Sequence, residues 1–244
     1  MQRWFVVSTV ALVLAGCGGG DDGEAGGAAP TVYAAASLTE IFPAVDPAPT
    51  YSFAGSDELA TQIREGAPAD VYAAASSTYP QELYDEGLVE EPVTFASNRL
   101  VLIVPEDNPA GIEELADVAE PGVKLVIAAE GVPVGDYTRA VLEDLDPAAA
   151  LDNVVSNEDD VKGVVGKIAL GEGDAGVVYA TDAAVAGDAV AVIELPKGSQ
   201  PPIDYQIAVV AASENEEAAQ AFVDLVLGPD GRAELEAAGF VLPE

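Results

Sequence analysis

Strand-like and helix-like segments alternate along the chain from residue 31 onward, and this alternation restricts the possible folds more than any other feature. Three short apolar runs are each followed by a helical pattern, and the pairs occupy 31–36 with 38–45, 51–54 with 57–65, and 70–75 with 80–86. This order is typical of a parallel sheet with helices on both faces. We therefore predict an α/β fold.

A second unit of the same kind follows the long apolar run at 100–104. Its predicted elements are strands at 124–128, 153–156 and 175–179 and helices at 136–145 and 159–170. Further strands follow at 190–195 and 206–211, and two helices at 215–227 and 230–238 close the chain. We predict two lobes, with 31–100 plus 205–244 in the first and 101–204 in the second. Because open α/β sheets bind ligands beyond the carboxyl ends of their strands, two facing lobes predict a ligand cleft.

The N-terminal residues have the features of an export signal. Arg3 precedes an apolar run at 4–14, which is shorter than the roughly 20 residues that a spanning helix needs. Small residues then lead to Cys17, an ending that resembles the lipobox of bacterial lipoproteins. We predict a signal peptide at 1–16, then a lipidated Cys17 and a flexible tether at 17–30. An ordinary signal peptide cut nearby is the alternative.

The composition excludes several classes of function. The chain has 43 acidic and 9 basic residues and a formal net charge of −34, so it cannot form the clustered basic surface that binds nucleic acid. The same charge repels anionic lipid, which leaves the lipid on Cys17 as the only expected membrane attachment. Adaptation to a saline habitat and ordinary lineage composition both remain open as causes of the acidity.

Histidine is absent from the chain, and Cys17 is its single cysteine. The missing imidazole excludes Ser-His-Asp and Cys-His catalysis and the usual zinc and iron sites. A single thiol excludes an internal disulfide.

Small or polar residues occupy the predicted turns in which a strand leads into a helix. These turns lie at Ser37, at Ser56, at Val134 with Gly135, and at Val161. Each one exposes backbone N–H groups of a helix start at the edge of a sheet, where they attract anions. The alternative for each serine alone is an ordinary helix N-cap.

Several motifs distributed over 31–244 together resemble one protein family. They are VYAAASLT at 32–39, FAGS at 53–56, QIREGAPADV at 62–71, NRLV at 98–101, VPVG at 132–135, DAGVVY at 174–179, GP at 228–229 and GF at 239–240. In this order they resemble the substrate-binding proteins of bacterial molybdate ABC transporters, the ModA family.

The resemblance implies a two-lobed periplasmic-binding-protein fold of type II that closes on molybdate or tungstate. By the family pattern, five groups hold the oxyanion: the hydroxyls of Ser37, Ser56 and Tyr179 and the backbone amides of Val134 and Val161. No cofactor is implied, and no protein atom coordinates the metal directly. The implied protein is a monomer outside the cytoplasm, on the membrane's outer face or in the periplasm, that visits an ABC permease.

Charged residues near this pattern have more ordinary interpretations. We expect Arg99 to pair with a carboxylate near the crossing between lobes, and Asp160 to cap a helix or face away from the anion. Lys162 and Lys167 are expected on a solvated helix face, and Asp70 is expected to support the turn before it. Tyr179 has an alternative role as a brace between the lobes.

Two other functions remain open at this stage. One is a receptor for a different ligand, such as sulfate, thiosulfate, phosphonate or ferric iron. The other is a lipid-anchored hydrolase or lyase that uses a carboxylate pair, although no histidine is present to activate Ser37 or Ser56. Cavity size would separate sulfate from molybdate, and the sequence does not reveal it.

Overall fold

The computed structural model describes residues 28–143 and 147–243. The predicted signal peptide, Cys17 and most of the tether lie outside the described residues. Within the described part of the chain, no helix is long and apolar enough to cross a membrane.

Strands and helices alternate as the sequence predicts. The strands are β1 (Thr31–Ala35), β2 (Thr50–Ala54), β3 (Val71–Ala74), β4 (Val93–Asn98), β5 (Leu100–Pro105), β6 (Leu125–Ala128), β7 (Val154–Glu158), β8 (Ala175–Tyr179), β9 (Val190–Glu194) and β10 (Ile203–Val209). The helices are α1 (Phe42–Val45), α2 (Ser56–Arg64), α3 (Thr78–Asp85), α4 (Pro133–Leu142), α5 (Pro147–Asp152), α6 (Val161–Ala169), α7 (Ala180–Ala186), α8 (Glu216–Leu227) and α9 (Pro229–Ala237).

The strands form two sheets, and each sheet with its helices makes one lobe. The first lobe has the order β2-β1-β3-β10-β4, and the second has β7-β6-β8-β5-β9. Three neighbouring strands of each sheet pair in parallel, as predicted. One strand of each sheet is reversed: β10 is antiparallel to both β3 and β4, and β5 is antiparallel to both β8 and β9, so β4 and β9 run in the same direction as the parallel strands. Both sheets are therefore mixed, and each reversed strand is the first one that the chain forms after it crosses from the other lobe.

The chain changes sheet between Asn98 and Leu100 and returns between Glu194 and Ile203. The predicted limits at 100/101 and 204/205 thus fall inside β5 and β10. The two connections are also bonded to each other. Arg99 forms an ion pair with Glu194, which confirms its expected role, and Gln200 hydrogen-bonds both the N–H and the carbonyl of Leu100.

Local sequence explains where some predicted elements shift. The helix expected at 38–45 is instead a 3-10 turn, Ala36–Leu38, followed by the short α1. Pro43 is tolerated only in the first turn of a helix, so a helix cannot run through it from Leu38, and α1 begins one residue before it, at Phe42. β4, α5 and α7 were not predicted, since none of them carries a long apolar run.

One hydrophobic core extends through both lobes. Its bridge is a pair of buried tyrosines: the rings of Tyr179 on β8 and Tyr205 on β10 meet edge to face, with centroids 5.7 Å apart. Tyr205 also contacts Phe95 and Phe240 of the first lobe. This aromatic contact lies where the two lobes meet and positions the residues described next.

Candidate functional site

A small cavity lies between the lobes, at the carboxyl ends of β1, β2 and β8. Its lining residues are Ala35, Ala36, Ser37, Ala54, Gly55, Ser56, Ala75, Val132, Pro133, Val134, Asp160, Val161 and Tyr179. The volume of about 20 Å³ exceeds the roughly 10–15 Å³ that one water requires. Sites for organic ligands usually begin near ~300 Å³. The cavity therefore has the scale of a small inorganic ion, and it unites all five residues of the family pattern.

Ser37 belongs to the first lobe and is buried in the 3-10 turn that follows β1. Its side chain makes no helix cap; its Oγ lies 3.0 Å from the hydroxyl of Tyr205. The side-chain amide of Asn98 approaches that same phenol at 3.5 Å. The Tyr205 hydroxyl can therefore donate to Ser37 Oγ, which leaves the proton of Ser37 available to a ligand.

Ser56 is the first residue of α2, and Gly55 is the N-cap, so the serine is not a cap here either. Ser56 Oγ accepts a hydrogen bond of 3.1 Å from the N–H of Ala75. Its own O–H is thus left to donate. A Cβ on Gly55 would lie 2.7 Å from the carbonyl oxygen of Asp159 in the second lobe. The absent side chain at Gly55 lets the two lobes meet at the edge of the cavity.

The second lobe supplies two helix starts. Val134 lies in the first turn of α4 and Val161 opens α6, so neither N–H has a partner within its helix. Asp160 caps α6 by accepting from the N–H of Gly163 at 2.9 Å, as expected. A Cβ on Gly135 would lie 2.1 Å from the carbonyl oxygen of Ala129, so α4 starts tightly against the preceding loop.

Tyr179 ends β8 and is 2 % exposed. Its hydroxyl forms no well-aligned hydrogen bond to any described residue, and the phenol of Tyr205 is the polar group beside it. Burial holds the pKa of Tyr179 well above its ordinary value, so the phenol keeps its proton and can act as a donor. An unpartnered buried hydroxyl costs about 1–3 kcal/mol. A ligand in the cavity would remove that cost.

The lining residues include no lysine or arginine, and their only ionisable groups are Asp160 and Tyr179. The site is thus built from neutral donors, with the one carboxylate occupied by its capping bond.

The two lysines of α6 lie on a partly solvated face, with side chains 29% and 34% exposed, and both are paired with carboxylates. Lys162 Nζ lies 2.7 Å from Glu40 and 3.2 Å from Asp182. Lys167 lies 2.9 Å from Glu158. Burial, opposed in part by the ammonium of Lys162, raises the pKa of Asp182 to about 6. The pair of Lys162 with Glu40 joins segments 122 residues apart, which helix periodicity alone cannot reveal.

Asp70 acts at the opposite end of the first sheet from the cavity. Its carboxylate accepts from the N–H of Thr31 at 2.7 Å and from the hydroxyl of Ser213 at 2.6 Å. It therefore joins the start of β1 to the segment after β10, rather than supporting only the local turn.

Two further contacts at the site were not found from the sequence. In the sequence analysis Tyr205 only marks a predicted lobe boundary. No local pattern indicates that its hydroxyl reaches Ser37, 168 residues away. The hydroxyl of Tyr79 on α3 donates to the carbonyl of Gly131 in the second lobe. The FAGS and VPVG motifs lie near this contact but do not indicate it.

Two lobes joined by two connections, with a small cavity between them, define a binding protein of the periplasmic type. A family model described as bacterial extracellular solute-binding protein matches residues 30–241. The chain therefore belongs to that family.

Known proteins similar to this chain agree with that membership. The molybdate-binding protein ModA of Mycobacterium tuberculosis is 34% identical over 99% of this chain and 100% of its own length. The periplasmic molybdate-binding protein of Azotobacter vinelandii is 24% identical, covers 88% of this chain and 100% of its own, and has a TM-score of 0.77. The sulfate-binding protein SubI of M. tuberculosis, at 20% identity and 88% and 86% coverage, has a TM-score of 0.73. The last two show the shared fold alone.

Proposed function

We propose that this protein is the extracytoplasmic receptor of an ABC importer and that it captures molybdate or tungstate between its lobes. The ligand donors are the hydroxyls of Ser37, Ser56 and Tyr179 and the amides of Val134 and Val161. The single observation that carries the proposal is the buried, unpartnered hydroxyl of Tyr179 in a cavity of neutral donors. The 34% identity to a molybdate-binding protein over its full length supports the choice of ligand.

Neutral donors suit reversible capture better than catalysis. A dianion held by the hydrogen bonds of hydroxyls and amides is released when the lobes separate, and no covalent bond has to be broken. Ser37 and Ser56 have no histidine to act as a base. We therefore propose that the bound oxyanion leaves chemically unchanged and that the protein is not an enzyme.

Closure follows from the placement of the donors on two lobes. The serines belong to the first lobe, whereas Val134, Val161 and Tyr179 belong to the second. A ligand that needs all five binds the closed state better than the open one and shifts the population toward it. A permease can then distinguish the loaded receptor by its shape.

Calorimetry with molybdate, tungstate and sulfate tests this function. We expect molybdate and tungstate to bind with a dissociation constant below about 1 μM. At a hundredfold excess over that constant, ligand should add about 2.7 kcal/mol to the free energy of unfolding. An unchanged melting temperature at saturating molybdate would contradict the proposal. Preferential binding of sulfate would instead identify a sulfate receptor with the same donor set.

We also propose that the protein acts as a monomer anchored by lipid on Cys17. This residue lies outside the described part of the chain, and its lipobox-like context supports the proposal. Mass spectrometry of the membrane fraction should find diacylglycerol on Cys17, and Cys17→Ala should release the protein into the medium or periplasm. Membrane retention of the alanine variant would contradict the anchor.

A further inference from the structure

Lys162 connects the two lobes through a pair of carboxylates. Its ammonium lies 2.7 Å from Glu40 Oε2 in the first lobe and 3.2 Å from Asp182 Oδ1 in the second. Among the ion pairs of residues 28–143 and 147–243, this is the one cation shared by carboxylates of both lobes.

The two carboxylates differ in burial. The side chain of Asp182 is 0% exposed, whereas that of Glu40 is 45% exposed. Asp182 and Lys162 belong to the same lobe, on α7 and α6, so their pair survives when the lobes separate. Glu40 can be solvated by water in the open state. The contact between Glu40 and Lys162 is therefore the part of this group that depends on closure.

We propose that the Glu40–Lys162 ion pair is a clamp across the cleft, which forms on closure and slows release of the bound oxyanion. This inference rests on the proposed function. Glu40 follows Ser37 by three residues, and Lys162 directly follows Val161. The clamp thus closes immediately beside two of the proposed ligand donors.

Neither Glu40 nor Lys162 lines the cavity, so the clamp acts through the lobes rather than by touching the ligand. The positive charge of Lys162 is already matched by two carboxylates, which leaves little to attract an anion. Asp182, which belongs to the same lobe as Lys162, pairs with the ammonium at 3.2 Å. Glu40 and Lys162 are therefore positioning residues for the closed state.

Stopped-flow release of molybdate from wild type and Glu40→Gln tests the clamp. Exposed ion pairs contribute about 0.2–1 kcal/mol, so the off-rate should rise roughly 1.5- to 5-fold at low salt, with little change in the on-rate. Glu40→Lys should raise it further, because it places two like charges together. Near 1 M salt, where screening acts within about 3 Å, the difference between wild type and Glu40→Gln should largely disappear.

Glu82→Gln is the matched control. Glu82 is 48% exposed and pairs with Arg64 at 2.8 Å, but both residues lie in the first lobe. Its loss should leave the off-rate unchanged.

Each result has a distinct meaning. An unchanged off-rate in both Glu40 variants, with molybdate still bound by wild type, overturns the clamp and leaves the proposed function standing. Tighter binding and a faster on-rate in Glu40→Gln would show instead that Lys162 attracts the anion, which also overturns the clamp. If wild type binds none of molybdate, tungstate or sulfate, the proposed function fails and the clamp fails with it.

Discussion

The two sides of the cavity present their donors in different ways. The first lobe presents side-chain hydroxyls that the protein already holds, Ser37 through Tyr205 and Ser56 through the N–H of Ala75. The second lobe presents backbone N–H groups at two helix starts and a tyrosine hydroxyl that nothing holds. The hydroxyl oxygens on one side are thus held in place before a ligand arrives, whereas the other side contains a buried hydroxyl without a well-aligned partner among the described residues.

This difference determines how each side responds to substitution. A hydroxyl can be removed by a change to alanine or phenylalanine, so the first lobe and Tyr179 can be tested one donor at a time. A backbone amide has no side chain to remove. The helix starts of the second lobe can be altered only by moving their backbone.

Gly135→Ala should have the largest effect, because it moves that backbone. Its Cβ would lie 2.1 Å from one carbonyl oxygen and 2.6 Å from another, and neither belongs to a flexible side chain. We expect a loss of about 3 kcal/mol in the free energy of unfolding, measured in urea, and weaker molybdate binding. Gly166→Ala is the control: nothing lies within 4 Å of its Cβ. This mid-helix change should stabilise by about 0.5–1 kcal/mol. Equal stability of the two variants would show that the start of α4 is not tightly packed.

Ser37→Ala and Ser56→Ala should have the next largest effect, on affinity. Each removes a donor to a buried dianion, worth roughly 1.5–3 kcal/mol. Calorimetry should therefore show molybdate affinity reduced by about ten- to a hundredfold. Ser76 is a matched control, since it is also buried in the first lobe but does not line the cavity. Ser76→Ala should bind as wild type does. If all three variants bind equally, the first lobe contributes no hydroxyl to the ligand.

Tyr179→Phe should have the smallest effect on the free energy of unfolding, and the sign of that change is informative. Without ligand, removing an unpartnered buried hydroxyl should leave the free energy of unfolding unchanged or raise it by about 1 kcal/mol. Affinity should fall, mainly through a faster off-rate. Tyr72→Phe is the control. The hydroxyl of Tyr72 donates to the carbonyl of Ser56 at 2.7 Å, so its removal should lower the free energy of unfolding. Destabilisation of Tyr179→Phe to the same extent would make Tyr179 a brace between the lobes.

Much of this architecture could be predicted from the sequence because it depends on local patterns. Apolar runs at 31–36 and 100–104 indicate buried strands, and the helix predicted at 136–145 is present as α4, although it begins three residues earlier, at Pro133. The resemblance identified five of the cavity residues, and four of them, Ser37, Ser56, Val134 and Tyr179, lie in motifs that are continuous in sequence. The antiparallel direction of β5 and β10 could not be predicted, because it depends on which lobe the chain enters.

The contacts that join distant segments were also beyond the sequence. Nothing near Ser37 indicates that Tyr205 holds it, and nothing near Lys162 indicates Glu40, 122 residues away. In a chain with 43 acidic residues, a carboxylate near any lysine is expected by chance. Only the fold determines which of them pairs across the cleft.

The bonds between the two interlobe connections have a mechanical consequence. Two separate strands of backbone would let the lobes twist, slide and bend independently. Arg99 with Glu194, and Leu100 with Gln200, tie these strands together side by side. Two connections that are bonded side by side are expected to bend most readily in one direction and to resist twisting. For the proposed opening of the lobes we therefore expect a rotation about a single axis, which would return the proposed donors of both lobes to the same alignment on closure.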